Sequence, residues 1–151
     1  MRAVIQRVLA AGVSVEGHVL SSIERGLLVL LGIAQGDDRH HLNYVADKIA
    51  GLRIFDDPDG RMNLSVAETG GSILLVSQFT LLADCRRGRR PSFSESMETE
   101  NARPIYEQMV TALREKNIPV ATGAFGKHMH VSLRNDGPVT LVVDSRDKYG
   151  A

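Results

Sequence analysis

The stretch Leu27-Leu28-Val29-Leu30-Leu31-Gly32-Ile33 decides the fold class of this 151-residue chain. All of its residues except the glycine are large and apolar, as expected of a strand that is covered on both faces. Asp38 follows as a possible helix N-cap. Beyond it, apolar residues recur at the spacing of a helix face, at Leu42, Val45, Ala46 and Ile49. A buried strand that leads into an amphipathic helix predicts a mixed α/β domain.

The flanking segments extend this pattern in both directions. Before it, Val13 and Val15 alternate with polar residues, and a turn at 16–18 leads into a strand at 19–23. After it, residues 73–76 are apolar and predict a second buried strand. A second helix is expected with Pro104 in its first turn. Its predicted buried face consists of Ile105, Met109, Val110 and Leu113, and Asn117 and Pro119 end it.

Two strands are predicted near the end of the chain, at 129–134 and 139–143, with a turn between them. The order of strands and helices therefore predicts a mixed sheet with helices on one face. We expect a single domain, residues 1–151, because the chain has one domain's length and 43% apolar residues.

Charge and cysteine content exclude several classes of function. Eighteen basic and eighteen acidic side chains cancel, so attraction to a nucleic acid must come from a local patch. Cys85 is the only cysteine, which excludes an internal disulfide and a multi-cysteine metal site. The N-terminal residues lack the apolar core of a signal peptide, and no apolar run approaches the roughly 20 residues of a membrane span. We therefore expect a cytoplasmic protein with no membrane partner.

Hydroxyl and amide side chains follow the second buried strand, in the stretch Ser77-Gln78-Phe79-Thr80. A hydroxyl nucleophile needs a base beside it, and neither a Gly-x-Ser-x-Gly nor a Ser-x-x-Lys pattern is present. Two hypotheses remain: Ser77 or Thr80 attacks the substrate, or this stretch positions the substrate through its backbone.

Four guanidinium groups stand within five residues, at Arg86, Arg87, Arg89 and Arg90. Such groups repel one another unless an anion is near, and guanidinium binds phosphate in a bidentate manner. The loop is either a solvated surface loop or a contact for an RNA backbone.

The sequence favours no metal site. His128 and His130 share one face of a predicted strand, but no third ligand is evident, so a solvated strand face explains them. The acidic residues around Gly60 do not match the ligand positions of a calcium loop and predict a turn. We expect neither a metal nor an organic cofactor.

The segment Asn135-Asp136-Gly137-Pro138-Val139-Thr140 has two interpretations. Asn-Asp-Gly-Pro is turn chemistry. Proline also permits a cis peptide bond before it, and a cis Gly137-Pro138 bond could present two carbonyl oxygens as a rigid pair of acceptors for an ammonium group.

Three stretches together resemble the D-aminoacyl-tRNA deacylases: residues 1–8, Ser77-Gln78-Phe79-Thr80-Leu81, and the 135–140 segment. Shorter matches occur at 53–55, 60–63, 88–93 and 123–126. The matches follow the family's order and span nearly the whole chain.

The resemblance implies a three-layer α/β/β fold and a cytoplasmic homodimer with its active site at the dimer interface. It implies hydrolysis of the ester of D-aminoacyl-tRNA, as proofreading in translation, and of glycine mischarged on the tRNA for alanine. The substrate partner would be aminoacyl-tRNA, with no DNA partner.

The resemblance also assigns roles to residues. Gly137 and Pro138 would form a cis dipeptide that enters the partner's pocket and rejects L-amino acids, with Arg7 and Asn135 in support. Backbone N–H groups near Phe79 and Thr80 would bind the ester carbonyl. Two alternatives stay open: a small-ester hydrolase with Thr80 as nucleophile, and a non-catalytic RNA-binding module that uses the arginine loop.

Overall fold

The computed structural model describes residues 1–150, and its first three strands form one antiparallel unit. These strands are β1 (Arg2–Val15), β2 (His18–Ile23) and β3 (Gly26–Gly32). The predicted turn between β1 and β2 is present, and Glu16 and Gly17 both have positive φ, of 50° and 78°. Strand β3 is almost entirely buried, as its apolar sequence predicts.

Helix α1 (Arg39–Gly51) follows the sequence prediction closely. The Asp38 side chain accepts hydrogen bonds from the backbone N–H groups of His40 and His41 and caps the helix. The four predicted apolar residues are its buried residues. Asp38 is exposed, and its pKa is lowered chiefly by the hydrogen bond from the His41 side chain.

Helix α2 (Thr99–Arg114) begins earlier than predicted. Pro104 is its sixth residue and lies inside the helix, so its placement in the first turn was wrong. Tyr106 is buried where Ile105 was expected, and Ile105 is half-buried. The helix ends before Asn117, which has a positive φ of 60°. The remaining predicted face, Met109, Val110 and Leu113, is buried.

The other elements are short, with one exception. Strands β4 (Phe55–Asp56) and β5 (Met62–Leu64) form a hairpin whose turn includes Gly60. Strand β6 (Ser72–Ser77) runs into a 3₁₀ turn, Phe79–Leu82. Strand β7 (Val120–Thr122) precedes the long β8 (His130–Asp144), and α3 (Arg146–Tyr149) ends the chain.

The large sheet is mixed and places β1 at its centre. β1 pairs antiparallel with β8, β3 and β2, whereas β3, β6 and β7 run parallel to one another. The first half of β1 pairs with β3 and the second half with β2, while β8 pairs along nearly its whole length. The sheet is nearly closed on itself. Because a mixed sheet and helices occur in the same chain, the predicted mixed α/β class is confirmed.

Two apolar clusters lie among the buried residues. Ala3 and Ile5, from the first half of β1, join the cluster that contains the buried residues of α1 and α2. Ala11 and Val13, from its second half, join a cluster with residues of β3 and β6 and none from a helix. Register shifts in β1 between Gln6 and Ala10 separate the two halves.

The amino group of Met1 is buried and paired. It donates to the Oδ1 atom of Asp37 at 2.6 Å and to the hydroxyl of Ser145 at 2.8 Å. The other carboxylate oxygen of Asp37 accepts the N–H of Ala34 at 2.6 Å. This pairing joins the start of β1 to the residues before α1 and α3. No helix within residues 1–150 is both long and apolar enough to cross a membrane.

Candidate active site

The segment Ser77-Gln78-Phe79-Thr80 lies at the carboxyl end of the parallel strands β3 and β6, where α/β sheets commonly bind ligands. The N–H of Gln78 still donates to the carbonyl of Leu31 on β3 at 2.8 Å, and the chain leaves the sheet at Phe79, where the 3₁₀ turn begins. The N–H groups of Phe79 and Thr80 are the first two of the 3₁₀ turn, and no side-chain hydrogen bond caps it. Two backbone donors therefore stand at the end of the strand.

A cleft of about 640 Å³ opens beside this segment. Its walls come from β3, β6, the start of α2 and the loop after β7. Phe79 and Phe93 lie edge to face, with 5.1 Å between ring centroids, and remain 56% and 38% exposed. The polar residues that line the cleft are Ser77, Gln78, Ser96, Glu98, Thr99, Lys127 and His128.

Phe125 forms another wall of the cleft and is held from two sides. The Tyr106 ring lies 5.4 Å from it, and the Arg103 guanidinium carbon lies 4.8 Å from its centroid. The Tyr106 hydroxyl donates to the carbonyl of Leu75 at 2.7 Å, and burial raises the pKa of this phenol to about 12. Tyr106 therefore remains a neutral donor that fixes α2 against β6.

Neither the Ser77 nor the Thr80 hydroxyl is hydrogen-bonded to a general base in the described part of the chain. The Gln78 side-chain amide donates to the hydroxyl of Thr80. Within residues 1–150, neither Ser77 nor Thr80 hydrogen-bonds a histidine, lysine or carboxylate through its side chain. Nucleophilic attack by one of these hydroxyls and a role through the backbone therefore both stay predictions.

The Gly137-Pro138 segment is a bulge within one strand, and the predicted turn between two strands was wrong. Asn135 lies opposite Val8 on β1 and Thr140 lies opposite Gln6. Residues 136–139 therefore face the single residue Arg7, and the chain continues in the same direction. The peptide bond before Pro138 is cis, and both Gly137 and Pro138 are exposed.

Arg7 and Asn135 hold this bulge. Arg7 is buried and donates from Nε to the carbonyl of Asp136 at 3.1 Å and from Nη1 to the carbonyl of Ile54 at 2.7 Å. The amide of Asn135 donates to the carbonyls of Arg7 and Val139 at 2.9 and 3.0 Å. These bonds tie the start of the bulge to β1 and join its two ends to each other.

Within one chain, the bulge and the cleft lie far apart. Across the sheet, Ser77 on β6 pairs with Leu31 on β3, and Leu31 pairs with Ala3 on β1. Along β1, Arg7 lies four residues from Ala3 and faces the bulge on the next strand, β8. Three strand spacings across the sheet and four residues along it correspond to roughly 20 Å. Neither Gly137 nor Pro138 lines the cleft of its own chain.

The arginine loop is closed at its base by backbone hydrogen bonds between Asp84 and Ser92, of 2.8 and 3.0 Å. Arg86 pairs with Asp84 through two side-chain bonds, and its guanidinium lowers the pKa of this carboxyl to about 2. The other three arginines are exposed. They form no ion pair within residues 1–150.

The histidine pair does not acquire a third ligand. The rings of His128 and His130 are 5.2 Å apart. Within the described part of the chain, no three His, Cys, Asp or Glu side chains are grouped so that they could hold a metal ion. Cys85 is exposed and unpaired within that part.

A family model described as D-Tyr-tRNA(Tyr) deacylase matches residues 4–144. The chain belongs to this family. It is 56% identical over 149 residues to the D-aminoacyl-tRNA deacylase of Thermosipho africanus (strain TCF52B), with 99% of this chain and 100% of that protein covered. It is 53% identical to the D-aminoacyl-tRNA deacylase of Thermus aquaticus, with 99% of both covered. The predicted family, and with it the prediction of a hydrolytic enzyme, is confirmed.

Two solved structures share the fold of this deacylase family member. One, named "c-Myc DNA Unwinding Element Binding Protein", has a TM-score of 0.91 at 41% identity and covers 95% of this chain and 98% of its own. The other, named "Structural Analysis of a probable eukaryotic D-amino acid tRNA deacylase", has a TM-score of 0.78 at 18% identity, with the same coverage. The second likeness concerns the fold alone.

Sequence reasoning did not single out Phe125, Tyr106 or Arg103 as site residues. Phe125 occurred only within a short family match at 123–126. A signal was present, because an aromatic residue among small residues in a loop often lines a pocket. The sequence does not indicate Arg103 and Tyr106 as site residues, because the predicted start of their helix differs from the start of α2 at Thr99.

Proposed function

We propose that this chain hydrolyses the ester bond of D-aminoacyl-tRNA and releases free tRNA and the D-amino acid. The observation that carries the proposal is the cleft at the end of β6, where the backbone N–H groups of Phe79 and Thr80 lack a side-chain cap. An ester carbonyl bound there would receive two hydrogen bonds as its oxygen becomes negative. The family assignment supports tRNA as the alcohol part of the ester.

In this mechanism, the protein stabilises the tetrahedral intermediate and supplies no nucleophile. Water attacks the carbonyl carbon, the C–O bond to the ribose breaks, and the ribose oxygen takes up a proton. The 2′-hydroxyl of the terminal adenosine helps to activate the water. Ser77 and Gln78 position the ester end. The absence of a base beside Ser77 and Thr80 supports this arrangement.

Selection of the D-amino acid requires a second copy of the chain. The Gly137-Pro138 bulge lies roughly 20 Å from the cleft of its own chain, so the bulge that completes a cleft belongs to a partner. The apolar side chains on either side of the bulge, Leu133 and Val142, are 40% and 64% exposed. Their exposure supports a homodimer with the active site at its interface. The family assignment supports a three-layer arrangement of each subunit.

The partner's bulge acts as a filter through its backbone. The carbonyls of Gly137 and Pro138 accept from the substrate's α-ammonium group. With the ammonium and the ester carbon fixed, a D side chain extends into open space and an L side chain meets the dipeptide. Rejection is therefore a steric penalty on the wrong substrate. Glycine has no side chain, so glycine mischarged on the tRNA for alanine is also hydrolysed.

The rest of the tRNA contacts the arginine loop. Arg87, Arg89 and Arg90 are free of ion pairs within the described residues and provide charges that can meet phosphates. Arg86 instead fixes the base of the loop through Asp84. The enzyme acts in the cytoplasm as a proofreading activity of translation.

The direct test is incubation of the purified protein with D-Tyr-tRNA, L-Tyr-tRNA and glycyl-tRNA for alanine. We expect release of D-tyrosine and glycine well above the spontaneous rate and none of L-tyrosine. If D-Tyr-tRNA decays only at its spontaneous rate, the proposed function is wrong. Equal release of D- and L-tyrosine would leave the hydrolase but remove the filter.

A further inference from the structure

Two basic residues beside the cleft, Arg103 and Lys127 (the basic pair), are not used by the hydrolytic mechanism. Lys127 lines the cleft, and Arg103 lies over the ring of Phe125, which also lines it. Both side chains belong to exposed residues. They come from separate elements, Arg103 from the second turn of α2 and Lys127 from the loop after β7.

The positive charges of the basic pair are not neutralised by acidic side chains within residues 1–150. Among the ion pairs of residues 1–150, none involves Arg103 or Lys127. Glu107, one turn along α2 from Arg103, forms no ion pair with it. Glu98 is the only carboxylate residue of the cleft lining, and it also forms no ion pair. In a chain with no net charge, two unpaired cations at the mouth of one cleft are a local anion-binding feature.

The backbone of the loop that carries Lys127 and the side chain of Arg103 are both held in place. The N–H of Lys127 donates to the carbonyl of Ala124 at 3.1 Å, and the N–H of Gly123 donates to the carbonyl of Leu75 at 3.0 Å. This loop is thereby fixed to the end of β6. Arg103 is held by its stacking on Phe125, a geometry that leaves the N–H groups of the guanidinium free to donate.

We propose that Arg103 and Lys127 bind the phosphodiester on the 5′ side of the terminal adenosine of the tRNA. The inference rests on the proposed function, which places the ester between Ser77 and Thr80. When the ester lies at the end of β6, the adenosine occupies the cleft, and the next group of the chain must leave through its rim. That group is a phosphate. The guanidinium of Arg103 and the ammonium of Lys127 are the kinds of side-chain group that bind phosphate. Arg103 and Lys127 are then positioning residues for the substrate.

The test compares two substrates that differ only beyond the adenosine. D-Tyr-tRNA carries the phosphate, whereas 3′-O-D-tyrosyl-adenosine lacks it. Arg103→Met and Lys127→Met remove the charge and retain a long apolar side chain that can still cover the neighbouring surface. Arg39→Met is the matched control, because Arg39 is an exposed arginine at the start of α1 and does not line the cleft.

For Arg103→Met and Lys127→Met we expect kcat/KM on D-Tyr-tRNA to fall about tenfold each, with no change on the adenosine ester. The slope of log kcat/KM against log salt should become shallower by about 0.7 when a phosphate contact is lost. The Arg39→Met control should match the unaltered protein on both substrates. An equal loss on both substrates would show that the side chains only pack the cleft, and no loss on either would also overturn the inference.

A binding measurement separates this inference from the proposed function. The trinucleotide CCA and adenosine are titrated into the protein by calorimetry. We expect tighter binding of CCA, and an advantage that both methionine variants reduce. If the unaltered protein hydrolyses neither ester, the proposed function fails, yet the CCA comparison still decides whether the rim binds a phosphate. Equal affinity for CCA and adenosine would refute the phosphate contact.

Discussion

Arg7 donates from Nε to the backbone carbonyl of Asp136 at 3.1 Å, across the one position of β1 that faces the four-residue bulge of β8. A buried arginine therefore fixes the backbone of an exposed dipeptide from behind. The same guanidinium donates to the carbonyl of Ile54, so the bulge is linked to the segment that leads into β4. The stereochemical filter that we propose depends on this rigidity.

A side chain at position 137 should disturb the bulge. Gly137 has φ of +131°, and a Cβ atom there would lie 2.7 Å from Cγ2 and 2.9 Å from the N atom of Val139. We expect Gly137→Ala to lower the free energy of unfolding by about 1–3 kcal/mol and to reduce discrimination between D- and L-Tyr-tRNA. Urea denaturation and the two hydrolysis rates measure these effects.

Gly60→Ala is the control for this substitution. Gly60 has a positive φ of 75° with no atom within 4 Å of an added Cβ, and it lies in the turn between β4 and β5, outside the cleft lining. It should cost stability without any change in stereochemical preference. If Gly137→Ala behaves in the same way, the bulge has no part in selection.

Loss of the Thr80 hydroxyl should have only a modest effect on the rate. The hydroxyl has no base beside it, whereas the backbone N–H of Thr80 survives substitution. We expect Thr80→Val to lower kcat on D-Tyr-tRNA by less than about 30-fold. A loss of about 10⁴-fold or more, or a trapped acyl-enzyme in single-turnover experiments, would indicate a covalent mechanism with Thr80 as nucleophile.

The buried pair of Met1 and Asp37 should matter far more than an exposed pair of the same length. Asp37→Asn leaves the buried ammonium group without a counter-charge, so we expect a loss of about 3–5 kcal/mol in the free energy of unfolding. Asp47→Asn breaks the exposed pair with Lys116, also 2.6 Å long, and should cost less than about 1 kcal/mol. Urea titrations of both variants provide the comparison. Equal costs would mean that burial adds nothing to the pair.

The phenol of Tyr106 should make the protein sensitive to alkali. Its pKa is raised to about 12 in the folded protein, above the ordinary value of 10.0. Between these pH values the unfolded chain loses the proton and the folded chain keeps it, so stability falls as pH rises. We expect a loss of up to about 2 kcal/mol between pH 10 and 12, and a smaller loss in Tyr106→Phe. Parallel pH profiles of the two proteins would contradict this prediction.

The unpaired arginines of the loop should contribute to tRNA affinity through charge alone. Replacement of Arg87, Arg89 and Arg90 by alanine should weaken tRNA binding and flatten its salt dependence. Arg86→Ala is the internal comparison, because Arg86 is already neutralised by Asp84 and should affect the salt slope less. If the triple variant binds tRNA as tightly as the unaltered protein at low salt, the loop is only a solvated surface.

The local elements and the family can be predicted from the sequence alone. The apolar stretch at 27–33 predicted the buried β3, and Asp38 with its apolar stripe predicted α1 and its buried face. These features are local, because a cap, a turn and a periodic face depend on residues a few positions apart. The start of α2 was misplaced because Pro104 is favoured in a first turn but is also tolerated farther into this helix.

Strand pairing and packing between distant parts of the chain fix where the polar stretches lie in space. Residues 135–138 have the composition of a turn. However, β8 pairs with β1 both before and after this segment, so the chain continues in one direction and four residues form a bulge opposite Arg7. Pairing also separates that bulge from Ser77 by roughly 20 Å. Likewise, only packing places Arg103 on Phe125 at the cleft rim. Contacts between residues far apart in the chain depend on strand register and helix packing, which no short stretch of sequence encodes.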